Sequence, residues 1–507
     1  MASSARQRIV FGMMGQAAKA TLSLVASALL ARWLEPSGYG TFIFVVGAIN
    51  AIRQLFDLGT STAYFTLAAS TPRPAAFHRV YWGWLGVQLA LMTLAISMLL
   101  PGDLYKGLFP SIPRPTATLA AVALFIQGNL WNAASQGAEA SRQTARIQAL
   151  GIVVTLAYLM AVVLLHLSGR LCTETVLALI AISWGIGCIA ATRLRQHSKP
   201  TAPFAARYLG ETFRLFTPHC LPLIPYAVLG AIAAFADRWM VQEWAGSQAQ
   251  GEFGAAQQLG SLTLLVTVAM VPVLWKEIAE SHHAGNREAA LAKYARASDA
   301  MLITVAVPAG FVMPWTEEVV RLVLGPTYLG SGMLLALLVW YPVHQTLGQL
   351  QGAYFYATSR TAAYVTTGTV ALVGGLVTSY ALMAPQSAAP PGLGLGATGL
   401  AIRMLTVQFL TVSANELLLF GVRRGVKRLA IQSAIVTTCL ALGWGCAQIG
   451  RAACQAPQLQ ALVAALSYTT LLSVVGYWTA RGLGIASANP CDIVNGAAQR
   501  IRSIVRD

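Results

Sequence analysis

Charged side chains make up only 10% of this 507-residue sequence, and acidic ones are the scarcer kind: 18 Asp and Glu against 34 Lys and Arg. A soluble domain averages about 25% charged residues and needs polar surface to cover itself, so a water-soluble fold is excluded. The seven cysteines are scattered, and no pair has metal-ligand spacing. Cys446 and Cys454 flank a short loop and are the one pair placed to bond in an oxidising compartment. No polar segment is long enough to be a domain; the two longest are 193–217 and 276–299. That speaks against a glycosyltransferase with a soluble catalytic domain and against a polymerase or ligase with a large outer loop. No GxxxxGK[ST] loop, HExxH, paired CxxC or catalytic triad is present. Glu277, Glu280, His282 and His283 form a loosely metal-like cluster, best read as a solvated loop. The chain is not expected to be an enzyme.

What the sequence has in excess is apolar length. Hydrophobic residues reach 56% and the mean hydropathy is +0.61. Fourteen runs of about 20 apolar residues, each long enough for a bilayer-spanning helix, cover roughly 10–31, 41–67, 80–100, 116–137, 147–167, 175–192, 218–240, 254–275, 300–316, 329–350, 361–383, 394–418, 429–448 and 458–480. They lack the in-out alternation of a transmembrane barrel. The fold class is an all-α polytopic membrane protein. The first run reads as a membrane helix rather than a cleaved signal, because it is too long for an h-region and holds Lys19 in its middle.

The net charge of +16 follows topology. With the N-terminus in the cytoplasm and the side alternating at each span, 24 of the 34 Lys and Arg fall inside, 6 outside and 4 within spans, while acidic residues divide 8 inside and 7 outside. A Lys/Arg bias without an acidic one is the positive-inside pattern, and no nucleic-acid partner is implied. Both termini are placed in the cytoplasm. The tail carries Val494, Ala498, Ile501 and Val505 at helical spacing among arginines, which suits the membrane surface.

An internal repeat is visible. Arg32-Trp33 falls against Arg238-Trp239, Gly38-x-Gly40 falls near Gly251-x-x-Gly254, and QGA at 136–138 matches 351–353, with offsets of 206 to 215. Six spans separate the copies, which makes two bundles of the same orientation. The expected organisation is an N-lobe over 1–200 (helices 1–6), a C-lobe over 201–420 (helices 7–12), two additional helices over 421–485 and an amphipathic tail over 486–507.

Ionisable residues within spans are costly in lipid and are functional candidates by default. Lys19 lies ~14 Å and Arg53 ~18 Å along their helices at about 1.5 Å per residue, close to the midplane of a core about 30 Å thick. Asp57 follows Arg53 at i+4, where side chains meet. Arg403 lies a third of the way into span 12, Asp237 and Arg238 lie near the outer end of span 7, and Glu416 lies near the inner end of span 12, an interfacial position. Lys19, Arg53 and Arg403 against Asp57 leave a surplus of positive charge suited to an anionic cargo, since the Arg fork gives phosphate two charge-assisted hydrogen bonds. The competing account of each residue is structural: an i,i+4 pair for Arg53 and Asp57, snorkelling for Lys19 and Arg403, an interface pair for Asp237 and Arg238. Amides at Gln127, Asn129, Asn132, Gln136, Gln257, Gln258, Gln345, Gln349 and Gln351 fit either a hydrated path or helix contacts. Prolines 222, 225, 272, 308, 314 and 342 mark bends.

The stretch LLARWLEPSGYGTFIFVVGAINAIRQLFDLGTSTAYF (29–65) resembles the N-terminal signature of bacterial polysaccharide flippases of the Wzx type, within the multidrug/oligosaccharidyl-lipid/polysaccharide (MOP) transporter superfamily. ADRWMV followed by GEFGAAQQLG, then VVRLVLGPTYLGSG and GLGATGLAIRML, are similar to later landmarks, so the likeness covers about 8–420. The resemblance implies two six-helix lobes around a cationic cavity, alternating access, a bacterial inner-membrane location and an undecaprenyl-diphosphate-linked oligosaccharide as cargo for surface polysaccharide biosynthesis. Membrane lipids and the polysaccharide polymerase machinery are the partners it brings with it. Two extra C-terminal spans depart from the commonest twelve-helix pattern and leave room for the lipid II flippase branch, which has fourteen. No cofactor is expected; proton or sodium coupling is compatible with the family, with Asp57 or Asp237 as titrating candidates. The runner-up is a cation-coupled multidrug or metabolite exporter of the same fold.

Overall fold

The computed structural model describes residues 5–70, 73–141, 143–194, 207–221 and 224–482. The sequence-predicted amphipathic tail and Pro222 lie outside these. Each of the fourteen apolar runs is helical over most of its described residues, with breaks such as the one at Leu58 and Gly59, as expected where lipid leaves the backbone no other partner. Nine segments among the described residues are long and apolar enough to cross a membrane, and the chain is a multi-pass membrane protein.

In chain order, the first half holds α1 (Ala5–Asp57), α2 (Thr60–Ser70), α3 (Ala75–Leu94), α4 (Gly102–Leu108), α5 (Arg114–Phe125), α6 (Trp131–Ala140), α7 (Thr144–Leu167) and α8 (Thr173–Leu194). A π-helical turn, Ile126–Leu130, joins α5 to α6. The connecting helix α9 (Arg207–Cys220) leads to α10 (Ile224–Gly260), α11 (Leu264–His283), α12 (Arg287–Val312), α13 (Thr316–Val323), α14 (Ser331–Leu338), α15 (Tyr341–Ala357), α16 (Thr361–Met383) and α17 (Gly396–Phe420). Two last helices, α18 (Val422–Ala453) and α19 (Pro457–Gly482), complete the described chain.

Two of these helices are hairpins. The 44 residues Met14–Asp57 would extend ~66 Å if straight, at about 1.5 Å per residue, twice the bilayer core. The chain instead reverses at Glu35, whose φ of 58° and ψ of 169° are non-helical, with Pro36 next to it. The reversal brings Tyr39 Oη within 2.8 Å of Ser27 Oγ, a pair that would be ~18 Å apart along a straight helix. In α10 the reversal falls at Gly246, with φ 83° and ψ 173°, a left-handed backbone that glycine adopts without strain. There Arg238 Nη2 donates to Gln257 Oε1 at 2.6 Å, from 19 residues away.

The two hairpins pack on each other, and their turns set the register of the repeat. Glu35 corresponds to Gly246, an offset of 211 obtained from the two positions. At the same offset Pro36 corresponds to Ser247 and Gly40 to Gly251. A Cβ on Gly40 would collide with the Ser247 carbonyl oxygen, and a Cβ on Gly251 would collide with the Pro36 carbonyl oxygen. These are one contact made twice about a pseudo-two-fold axis. The Arg-Trp echo at offset 206 is therefore not a structural equivalence: Arg32 lies three residues before its turn and Arg238 eight before its own.

Around the paired hairpins, α5, α7 and α8 pack on α1, while α14, α16 and α17 pack on α10, and α11 and α12 pack with α15. Helix α9 crosses to the first half, where Phe216 meets Phe77 and Tyr81 at ring separations of 5.8 Å. Helix α18 lies on α12 through Gly310 and Gly443, whose backbones touch where a Cβ would not fit. Tyr468 of α19 donates to the Val307 carbonyl oxygen at 3.0 Å. Cys446 and Cys454 carry free thiols. Of the prolines read as bends, Pro308 lies inside α12, Pro225 and Pro342 open α10 and α15, and Pro314 lies in the 3₁₀ turn ending α12.

Candidate functional site

The span charges divide between two walls. In the first half, Arg53 donates from Nη1 to Asn129 Oδ1 at 2.6 Å and from Nε to Asn50 Oδ1 at 3.2 Å. Its guanidinium lies directly over Gly128, where a Cβ would overlap it. Gly128 and Asn129 belong to the π-helical turn. The extra residue of that turn re-aims Asn129 at Arg53, a common use of such bulges, and nothing in residue types or spacing signals it. Lys19 lies beside Gly151 of α7 and Trp131 of α6. Its electrostatic partner is Glu139, which accepts from Gln148 Nε2 at 3.1 Å. Lys19 and Arg53 thus both rest on the segment that runs from the π turn through α6 to α7.

Asp57 has a different task from the one its spacing suggests. The helix breaks at Leu58 and Gly59, both at positive φ. Asp57 Oδ1 then accepts from Ser61 N at 3.1 Å, Ser61 Oγ at 2.5 Å and Thr60 Oγ1 at 3.1 Å. It caps the start of α2, as a side-chain oxygen before a helix does, and Gln88 Nε2 covers the freed Phe56 carbonyl at 2.6 Å. Arg53 is held by amides and Asp57 by a helix terminus; the two do not form an ion pair.

In the second half, Arg403 on α17 pairs with Asp237 on α10 at 3.0 Å, where its own helix offers no acidic neighbour. Ser379 of α16 donates to the other side of that carboxylate at 2.6 Å, and Arg403 Nε donates to the Gly375 carbonyl at 3.2 Å. Asp237 and Arg238, consecutive in sequence, hold different partners. Arg238 bonds Gln257, lies over the Phe253 ring at 5.4 Å, and rests its stem on Gly47 of α1. Asp237, Arg238, Arg403, Gln257, Tyr341 and Gln408 line one cavity of about 250 Å³; Lys19 and Arg53 are not among its lining residues.

Removing one partner of a buried pair strands the other, at a cost of about 3–5 kcal/mol. Arg403→Leu is therefore expected to lower the thermal unfolding midpoint of the purified protein markedly. The double variant Asp237→Asn/Arg403→Leu should recover more than half of that loss. Equal destabilisation by the single and double variants would show that the pair is not what holds α10 to α17.

The Glu416 side chain is fully buried within the protein. Its carboxylate accepts from Arg428 Nε at 2.6 Å and Tyr294 Oη at 2.8 Å, with Gln351 at 3.4 Å. Arg428 also pairs with Asp299 at 2.9 Å. This network ties α18 to α12, α15 and α17. Glu416→Ala should cost about 3 kcal/mol by the same reasoning, read as a lower unfolding midpoint. Lys276→Ala, which removes a largely exposed pair with Glu280, should leave the midpoint unchanged.

No protein-family profile and no curated protein sequence matches the chain. Solved structures do. The chain is similar to the lipid II flippase MurJ in an inward closed conformation, at 13% identity and a TM-score of 0.70, over 94% of this chain and 99% of that one. The chain has the fold of the MOP-superfamily transporters. A MOP-superfamily transporter from Pyrococcus furiosus, described as having a binding pocket of reversed polarity, aligns at 14% identity and a TM-score of 0.56 over 85% of this chain and 97% of that one. The Vibrio cholerae MATE transporter VcmN aligns at 12% identity and a TM-score of 0.53 over 82% and 94%. The alignment to MurJ leaves only 6% of this chain uncovered. At these identities the likeness concerns architecture; what this chain carries must come from its own residues.

Proposed function

We propose that this protein flips a lipid-diphosphate-linked oligosaccharide of the undecaprenyl type across the bacterial inner membrane, for surface polysaccharide biosynthesis. The observation that carries this reading is the balance of charge in the spans. Lys19, Arg53 and Arg238 have no direct carboxylate partner, and the one carboxylate of the second-half cavity is held by Arg403. Burying cations whose nearest carboxylates lie beyond ion-pair distance is costly, and an anionic headgroup arriving as cargo would offset that cost. Lys19 and Arg53 would engage the diphosphate from the first half, and Arg403 would orient Asp237 from the second. The sugars would occupy the space between the lobes, 1–200 and 201–420, and the lipid tail would stay in the bilayer. Rocking of the two halves about the paired hairpins would expose the site to each side in turn. The helices over 421–485 would travel with the second half, to which the Glu416–Arg428 network ties them. Asp57 and Asp237 are the candidates for proton or sodium coupling.

The discriminating experiment is expression in bacteria deprived of their own polysaccharide flippase. Restored surface polysaccharide, without raised resistance to cationic dyes, is the expected outcome. Dye resistance with no restored polysaccharide would favour a cation-coupled exporter instead.

A further inference from the structure

A different cavity, of about 390 Å³, opens in the second half beside the hairpin turn of α10. Trp244, Glu252, Gly330, Gly396 and Thr398 are among its lining residues. Its walls are fixed. The chain between α16 and α17 is pinned by Leu393 N to the Ala381 carbonyl at 2.9 Å, Gly394 N to the Ala384 carbonyl at 2.8 Å and Leu395 N to the Leu382 carbonyl at 2.9 Å. Tyr380 Oη donates to the Pro390 carbonyl of the same segment at 3.0 Å. Trp244 is held in edge-to-face contacts with Trp239 and Tyr380, at ring separations of 5.8 and 5.5 Å. Polar groups of both kinds remain unpaired around this frame. Glu252 accepts from the Gln248 amide at 3.0 Å and pairs with no Lys or Arg among the described residues. A Cβ on Gly330 would lie 3.0 Å from Glu252 Oε2, so the carboxylate sits directly on that turn. Helix α17 starts without a side-chain cap, and its first-turn N–H groups at Gly396 and Thr398 have no protein acceptor, as helix starts leave them.

We propose that this cavity is a carbohydrate subsite, which takes a neutral sugar ring. The lining argues against simpler ligands. A phosphate or carboxylate would meet the charge of Glu252. A cation would face the positive end of α17 and find a single carboxylate. A purely apolar group would cover that carboxylate and the first-turn N–H groups without pairing them, which is costly. A sugar ring answers all three surfaces at once. A hydroxyl donates to Glu252, a charge-assisted bond. Hydroxyl or acetamido oxygens accept from the α17 N–H groups and from Thr398. The C–H face of the ring packs on the Trp244 indole. A volume of about 390 Å³ lies within the range of small-molecule sites. The cavity borders Ala245 and Ala249, on either side of the turn at Gly246. It therefore lies at the hairpin end, which the Lys/Arg bias puts outside. There it would hold a saccharide of the cargo once the halves have let it pass. The inference rests on the flippase reading for the source of the sugar, but its test needs no transport.

The probes are diacetylchitobiose, cellobiose and rhamnose, each followed by saturation-transfer NMR against the full chain in lipid nanodiscs, where no sugar-headed detergent competes. Saturable binding of at least one of them, at millimolar affinity, is expected. Trp244→Leu should weaken it at least tenfold, and Glu252→Ala at least fivefold. Trp244→Phe, which keeps an aromatic face, should stay within threefold of the parent and guards against a folding artefact. Choline and inorganic phosphate should not displace the sugar. Absence of saturable binding for all three probes, parent-like binding in Trp244→Leu and Glu252→Ala, or displacement by choline or phosphate would overturn the subsite. A protein that flips lipid-linked sugars yet binds saccharides regardless of both residues would refute this inference alone. Saccharide binding that depends on both, without flipping, would refute the proposed cargo alone.

Discussion

Gly251→Ala is expected to reduce transport at least tenfold while leaving the protein inserted in the membrane. The reason is geometric. Gly251 and Gly40 are where the two hairpins approach backbone to backbone, and a methyl group on either would occupy the position of a carbonyl oxygen on the other hairpin. A carbonyl within a helix is fixed by its own hydrogen bond, so the neighbour cannot turn aside as a flexible side chain would; the helices must part. Small residues that admit such approach are a main source of helix association in membranes. Parting here would also strain the contacts that close the same end, Tyr328 Oη to the Ala31 carbonyl at 2.9 Å and Trp239 Nε1 to the Gly107 carbonyl at 2.6 Å. On the proposed alternating cycle, a protein that cannot close this end cannot complete transport. The accompanying structural signature is labelling of a cysteine at Ile43, which packs on Gly254 across the contact. Water-soluble maleimide should react slowly with it in the parent protein and several-fold faster beside Gly251→Ala. Parent-like transport in Gly251→Ala would show that the close approach is dispensable.

The second large effect concerns Lys19 and Arg53. Arg53→Ala and Lys19→Ala are each expected to abolish surface polysaccharide at unchanged protein levels. Neither residue is held by a direct ion pair: Arg53 has two amide oxygens, and Lys19 has Glu139 as a longer-range partner. A purely structural role is separable by experiment. If Arg53 served only to bridge Asn50 and Asn129, its loss would show in stability, with a lower unfolding midpoint and reduced protein in the membrane. If it serves cargo, transport is lost while the midpoint stays near that of the parent. Normal polysaccharide in both variants would remove the first-half wall from the mechanism.

Much of the architecture is legible in the sequence because lipid enforces a simple code. Fourteen apolar runs predict helices, and each is helical over most of its described residues. The repeat is legible as well, although only through its glycines. Gly38-x-Gly40 and Gly251-x-x-Gly254 mark the place where the halves touch, whereas the more conspicuous Arg-Trp pairs do not correspond in space. The site was less legible, for physical reasons that differ by residue. Asp57 looks like the partner of Arg53 on an unbroken helix, but Leu58 and Gly59 break the helix and turn the carboxylate into a cap. Asp237 looks like the partner of Arg238 by adjacency, yet consecutive helical residues point about 100° apart, and its partner, Arg403, lies on another helix. Glu416 looks interfacial by depth, but four helices bury it against Arg428, Tyr294 and Gln351. Pairings between distant segments leave no mark in local spacing, and the π turn that presents Asn129 leaves none in composition.

Passage of a lipid-borne diphosphate sugar between these two halves is to be measured in proteoliposomes holding only the purified protein and a fluorescent undecaprenyl-diphosphate oligosaccharide. Under an imposed ion gradient, the labelled headgroup should become accessible to an impermeant quencher on the opposite leaflet, at a rate well above protein-free vesicles, and Arg53→Ala should return that rate to the background. A rate equal to the background for the unaltered protein, under proton and sodium gradients of either direction, would contradict it.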